Sequence, residues 1–248
     1  DPVQLAVQRD GESQLRTFQI IREKLSIASV KSEMLEDNIG YIRITSFQEK
    51  TAHEVFDAVT DMIGADSDGL RGLIIDLRDN PGGVMDSSVN IADMFLDQGL
   101  IVSTYGRFRE ANLDYYATPE SLIHNTPIVV LINERSASAS EILAGALKAH
   151  ARGTIVGVKS YGKGSVQSLI PLRGGKTAMK LTTSLYRTPD GVSIDKIGVE
   201  PDIKITQNNI PEHENLIGPL AHKEGNQGQF LAANDAQLIK AIEILKTE

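Results

Sequence analysis

Apolar residues recur along this chain with two different periods, and the changes from one to the other mark where sheet should give way to helix. Val3, Leu5 and Val7 alternate, Arg9-Asp-Gly-Glu12 supplies a turn, and Leu15 to Leu25 reads as a second extended stretch. This is a hairpin, too small to be stable alone. Ser29 to Asn38 reads as a connector, Ile39 to Ile44 as a strand, and Ala52 to Ile63 as a helix with Val55, Phe56, Val59, Met62 and Ile63 on its apolar face. Leu70 to Leu77 is a short apolar strand, Asn80-Pro-Gly-Gly83 a turn, and Ser87 to Leu96 an amphipathic stretch. The same order recurs: strand Ile128 to Ile132, a Ser-rich turn, helix Ala139 to His150, strand Thr154 to Val158. Strand, turn and helix in that order are the βα unit of a parallel sheet, and two such turns can lie on the same sheet edge.

Helical periodicity disappears after Ser165. Val166 to Leu172, Thr177 to Leu185 and Ile203 to Ile205 read as strands, and Asp235 to Leu245 closes the chain as a short amphipathic helix. Residues 106 to 126 are polar and irregular, the pattern of a surface excursion or flap, and 207 to 230 read as a loose linker rich in Asn, Gln, Gly, Glu and His. The pattern predicts an α/β fold with a β-rich C-terminal part.

Composition narrows the function. The chain has 248 residues, enough for one large domain or one domain with an appendage. Aromatic residues make up 5% and Trp is absent, so Ile, Leu, Val and Ala must build the core, which favours helices packed on a sheet. A formal charge of −8 argues against a nucleic-acid partner, because neutralising phosphates needs a basic patch. Without cysteine there is no disulfide, thiolate metal site or thiol nucleophile, and no histidine shows metal-ligand spacing. The sequence has no apolar run of membrane-spanning length and no signal-peptide pattern at its start.

Two turns carry candidate chemistry. Ser138 lies in Arg135-Ser-Ala-Ser-Ala-Ser-Glu141, and Lys163 in Tyr161-Gly-Lys-Gly-Ser-Val-Gln167. A serine hydroxyl is a weak nucleophile that needs a neighbouring base. A lysine serves as that base only if its surroundings hold it neutral. None of the five histidines sits in a comparable Gly/Ser turn. Ser138 and Glu141 also have the spacing of a capping box, so capping and catalysis compete for the hydroxyl, and one neighbouring serine can cap while another attacks. A serine in a first helical turn lies near unpaired N–H groups that stabilise developing negative charge. On a strand, residues 163, 165 and 167 would share a face, which lets Gln167 orient the lysine amine. Taken alone, the glycine turn suits an ordinary solvent-exposed lysine equally well. Gly157 to Lys163 also fits part of a phosphate-binding loop, but Gly164 stands where Ser or Thr should bind magnesium, and a strand rather than a helix follows. Asn80-Pro-Gly-Gly83 can present N–H groups as an anion nest or serve as an ordinary turn, with Asp76, Arg78 and Asp79 as a charge cluster holding it.

Six ordered blocks together resemble the carboxy-terminal processing, or tail-specific, proteases, the Ser/Lys peptidases of family S41. The blocks are Gly40 to Phe47, Asp76 to Gly83, Ser136 to Ile142, Gly162 to Gln167, Leu181 to Tyr186 and Gly198 to Asp202. The resemblance implies a ClpP/crotonase-like peptidase core over 29–206, a partial PDZ domain over 1–28, and a polar linker with a C-terminal helix over 207–248. It implies Ser138 as nucleophile, Lys163 as general base, Gln167 as its orienting partner, and the N–H groups of Gly83 and Ala139 as the oxyanion hole. The implied reaction is peptide-bond hydrolysis near the C-termini of protein substrates, through an acyl-enzyme and with no metal or nucleotide cofactor. A periplasmic or cell-envelope setting, a tetratricopeptide adaptor and homo-oligomerisation belong to the same set of expectations. The alternative is a non-catalytic peptide-binding or scaffold protein that keeps the protease fold.

Overall fold

The order of elements was determined in a computed structural model that describes residues 2–23, 28–65, 69–175, 177–206 and 235–247. Strands β1 (Val3–Val7) and β2 (Arg16–Ile20) come first, then β3 (Val30–Met34) and β4 (Ile39–Ile44), helix α1 (Thr51–Ala65), β5 (Gly72–Asp76) and α2 (Met85–Asp93). Next are β6 (Leu100–Gly106), β7 (Leu113–Tyr116), β8 (Ile128–Ile132), α3 (Ala139–Ala149) and β9 (Thr154–Gly157). The chain continues through β10 (Ser165–Pro171), β11 (Ala178–Arg187) and β12 (Ile203–Lys204) to the final helix α4 (Ala236–Thr247).

The main sheet has the order β12-β9-β8-β5-β4-β3, parallel throughout except for antiparallel β3 at one edge. From β4 through β5 and β8 to β9 each step moves one strand in the same direction, so right-handed crossovers put α1, α2 and α3 on one face. That face holds the larger core: Ile42, Ile44, Leu73, Ile75, Val130 and Ile132 from the strands meet Val55, Val59, Ile91, Ile142 and Leu143 from the helices. Successive strand side chains point to opposite faces, so Ile39, Ile74, Val129, Leu131 and Val156 would be left in water. Helix α4 covers them with Leu238, Ala241 and Leu245. Full burial of a leucine contributes about 1.5–3 kcal/mol, so this helix completes the sheet rather than decorating it.

A buried ion network fixes α4 in place. Arg78, just after β5, donates through Nε to Asp76 Oδ1 at 2.9 Å and through Nη2 to Asp76 Oδ2 at 2.6 Å. Its Nη1 reaches Asp235 Oδ1 at 2.9 Å and Oδ2 at 2.7 Å, and Asp235 in turn caps α4 by accepting the N–H groups of Gln237 and Leu238. Burial alone would raise the Asp76 carboxyl, but Arg78, with help from Arg43 and the Tyr41 hydroxyl, outweighs it and holds the group below the usual carboxylate range.

A second, antiparallel sheet has the order β10-β11-β6-β7, with a register shift where Val166 pairs with Ser184 and Gln167 with Thr182. Strands β1 and β2 pair only with each other among the described residues, in the register Val3↔Ile20 to Val7↔Arg16.

Three expectations change. Residues 30–34 are an edge strand, not part of a connector; Lys31 and Glu33 masked it, because an edge strand is half-solvated and tolerates charge. The 106–126 excursion contains β7, and the segment after it is tied to the C-terminal end of α2, with Thr118 N–H on Asp93 Oδ1 at 2.5 Å and Leu122 N–H on Met94 C=O at 2.8 Å. Lys163 precedes β10 rather than lying on it, so the shared strand face assumed for residues 163, 165 and 167 does not include it. The expected linker at 207–230 lies outside the described residues.

Candidate active site

The Asn80-Pro-Gly-Gly83 turn is held by one buried amide. Asn80 Nδ2 donates to Ile44 C=O at 2.8 Å, and its Oδ1 accepts Gly82 N–H at 2.9 Å. Its carbonyl accepts Ala137 N–H at 3.0 Å and the Ser140 hydroxyl at 3.0 Å, which ties the turn after β5 to the turn after β8. Phe47 N–H and C=O pair with Gly82 C=O and Val84 N–H, at 3.0 and 2.8 Å, leaving the intervening Gly83 N–H turned elsewhere. Gly82 has φ +98°, and a Cβ there would lie 2.7 Å from Ser138 Cβ and 3.0 Å from Ala139 N. Only glycine admits both that conformation and that approach.

In the serine-rich turn two of the three hydroxyls are structural. Ser136 Oγ donates to Leu77 C=O at 2.8 Å and accepts Asn133 N–H at 2.9 Å, while Ser140 Oγ is bound to Asn80. Ser138 stands between them, half-buried at the N-cap of α3. Its backbone has φ +58° and ψ −115°, outside the left-handed basin that non-glycine residues occasionally visit. Such a conformation costs about 1–3 kcal/mol and persists only where the surroundings over-determine it. Here the Ser138 C=O accepts Glu141 N–H at 2.9 Å and Ile142 N–H at 3.1 Å, and Ser138 N–H donates to Glu141 Oε2 at 2.8 Å. Of the capping box read from the spacing, the Glu141 half is present, its carboxylate accepting the Ser138 N–H, while the Ser138 hydroxyl makes no cap hydrogen bond. Among the described residues, the N–H groups of Gly83 and Ala139 have no acceptor.

Glu141 reaches further than a cap. It is buried, and its Oε1 accepts the Ser160 hydroxyl and Gly162 N–H, each at 2.6 Å. Its Oε2 accepts Lys163 N–H at 2.8 Å besides that of Ser138. One carboxylate with four donors thus locks the turn after β9 onto the N-terminus of α3. The glycines beside Lys163 are needed for this fit, since a Cβ on Gly164 would lie 2.4 Å from Asp195 N and one on Gly162 would lie 3.0 Å from Gly198 N.

Tyr186 closes the arrangement from β11. Its N–H donates to Gly164 C=O at 2.9 Å, and its hydroxyl lies on the Lys163 C=O and 3.1 Å from the Ser138 C=O. Burial foremost, then the charges of Glu141 and Asp195, push the phenol pKa well up, so it remains a neutral donor.

The structure brings the backbones of Ser138, Ala139, Gly82, Gly83 and Lys163 to one place. The Lys163 side chain is half-buried, and Gln167 is exposed on β10. Ser138 Oγ, Lys163 Nζ and the Gln167 amide share no hydrogen bond among the described residues. No three His, Asp or Glu side chains among the described residues converge to hold a metal ion. After Lys163 the chain enters β10, so the N-terminal helix turn that a phosphate-binding loop requires does not follow it. Sequence reasoning gave Asn80, Glu141 and Tyr186 no role in joining the turns. The S-x-x-E spacing marked Glu141 only as a cap, and a buried tyrosine on a strand carries no local signal of its partners.

Comparison with known proteins follows the same geometry. Residues 38–205 match Peptidase family S41. The whole chain aligns at 40% identity with 61% of the length of a carboxy-terminal-processing protease of Bartonella bacilliformis. Over 91% of the chain it is 33% identical to 47% of the carboxy-terminal processing protease CtpA of Bacillus subtilis. Among solved structures, the photosystem II D1 C-terminal processing protease superposes with a TM-score of 0.65 at 34% identity, over 83% of this chain and 56% of that one. The chain therefore spans about half to three-fifths of the length of these relatives.

Proposed function

This chain belongs to peptidase family S41, and from that premise we propose that it is the catalytic part of a serine endopeptidase that cuts protein substrates near their C-termini. In this reading Lys163, as a neutral amine, takes the Ser138 proton while Oγ attacks the scissile carbonyl carbon. The new oxyanion is received by the N–H groups of Gly83 and Ala139. Lys163 then gives its proton to the departing amine as the C–N bond breaks, leaving the acyl-enzyme. Water, deprotonated by Lys163, attacks the ester, and collapse of that second intermediate returns the proton to Ser138. Gln167 orients the lysine amine once substrate closes the site.

The observation that carries the proposal is the shared anchoring of Ser138 and Lys163 on Glu141, beside two N–H groups with no internal acceptor. Support also comes from the hydroxyls of Ser136 and Ser140, which already have structural partners and leave Ser138 as the serine for chemistry. The test is cleavage of an unstructured protein by the intact enzyme and by Ser138→Ala and Lys163→Ala variants that retain the wild-type unfolding midpoint. Each variant should lose activity. Full cleavage by Lys163→Ala would refute the base, and binding of C-terminal peptides without product by the unaltered protein would favour a scaffold.

The proposal extends to organisation. We read 29–206 as a ClpP/crotonase-like peptidase core, 1–28 as the closing part of a PDZ domain, and 207–248 as linker and terminal helix. The isolated β1–β2 pairing supports the second boundary, since such a hairpin needs further strands or a packing surface to be stable. A cell-envelope location, a tetratricopeptide adaptor and self-association are part of the same reading.

A further inference from the structure

We infer that the Tyr186 hydroxyl is a positioning group that sets the distance between Ser138 and Lys163, an inference that rests on the proposed Ser/Lys chemistry. Each of those residues is gripped at both ends of its peptide unit by the same two side chains. Glu141 Oε2 accepts both N–H groups, and the Tyr186 hydroxyl lies against both carbonyls.

The two carbonyls depend on the phenol unequally. Ser138 C=O also accepts two N–H groups from the first turn of α3. Lys163 C=O has the Tyr186 hydroxyl as its one partner among the described residues. A phenol carries a single proton, and the Ser138 oxygen already has two N–H donors, so the Lys163 oxygen is the acceptor that needs that proton. It also separates two carbonyl oxygens that would otherwise face each other without a donor between them. Removing the proton leaves the Ser138 turn held by α3 and releases the Lys163 peptide at its carbonyl end.

The position of the hydroxyl is fixed from outside both turns. The Tyr186 ring is buried, its N–H holds Gly164 C=O, and its strand pairs with β6 in the register Tyr186↔Thr104. The second sheet thereby delivers a rigid reference point to a site whose nucleophile and base come from turns of the first sheet. A lysine base works best toward alkaline pH, and the raised phenol pKa keeps this donor protonated there.

The test is Tyr186→Phe in the intact protein, which removes one oxygen and keeps the ring. A misplacement of about 1 Å costs on the order of 100-fold in rate, so kcat should fall by about 10- to 100-fold. KM should stay within about twofold, because the loss falls on the reacting atoms rather than on substrate binding. The pH at which kcat rises should move, and 3-fluorotyrosine at position 186, which restores a hydroxyl donor, should recover most of the rate. The inference is overturned if kcat stays within about twofold of wild type, if the loss vanishes on cooling to temperatures where the variant is fully folded, or if 3-fluorotyrosine is as impaired as Phe. Full activity of Lys163→Ala, by contrast, would overturn the underlying dyad and not this role alone.

Discussion

The main-chain N–H groups of Ser138 and Lys163 converge on a single oxygen, Glu141 Oε2, at 2.8 Å each. Helix α3 and strand β9 separate the two along the chain, yet neither turn can shift without losing a charge-assisted hydrogen bond to the same carboxylate. Such bonds contribute about 1.5–3 kcal/mol each. Glu141→Gln keeps the shape but turns one acceptor oxygen into a donor nitrogen facing N–H or O–H groups. Activity on an unstructured protein should fall at least about tenfold, the change that about 1.4 kcal/mol of lost alignment produces, and the thermal midpoint should drop by several degrees. Steady-state kinetics and a melting curve on the same preparation check both.

Gly82 tests the packing of the two turns independently of charge. Gly82→Ala would place a Cβ 2.7 Å from both the Ala137 carbonyl oxygen and Ser138 Cβ, at a φ of +98°. The turn and the nucleophile must then move apart. The expected outcome is a folded protein, destabilised by about 1–3 kcal/mol, with kcat/KM reduced far more than that destabilisation explains. Urea titration and kinetics at one temperature separate the two effects.

The pairing of Arg78 with Asp76 and Asp235 governs how α4 is held. Arg78→Met would leave the buried Asp76 with the residue-78 main-chain N–H at 2.9 Å, the Tyr41 hydroxyl at 2.7 Å and the more distant Arg43 at 3.9 Å, and Asp235 would lose its cation. Breaking a buried pair from one side costs about 3–5 kcal/mol, which urea denaturation would register as a lower midpoint.

Acid should reach the same network. Because the folded-state pKa of Asp76 is depressed, the unfolded chain binds the proton first. Its stabilisation is complete above the ordinary carboxylate value of about 4 and is lost as pH falls through the lower folded value. The urea midpoint should therefore fall between pH 5 and pH 3, as ~1.4 kcal/mol per unit of pKa difference requires. Asp76→Asn, already less stable at pH 5, should show a smaller decrease over that interval.

Much of this architecture could be read from the sequence because the buried strands β4, β5, β8 and β9 are short apolar runs and α1 to α3 have regular apolar faces. The same rule missed β3, where Lys31 and Glu33 sit on a half-solvated edge, and β7, whose Leu113 and Tyr116 are exposed. Ser138 and Lys163 stood out because small residues crowd both turns. What joins them did not. Glu141 meets Ser160, Gly162 and Lys163 from 19 to 22 residues away, and Arg78 meets Asp235 across 157 residues. Partners at such separations are set by strand order, which local periodicity does not encode. Gln167 shows the converse: assuming a strand through Lys163 gave it a shared face, whereas β10 begins only at Ser165.

The most direct measurement is the rate at which a fluorophosphonate modifies the intact protein, with the modified serine located by mass spectrometry. Modification should fall on Ser138, and Lys163→Ala should slow it by about 100-fold or more, within the contribution usual for a general base. A label on another serine, or an undiminished rate at Ser138 in Lys163→Ala, would contradict the assignment of nucleophile and base.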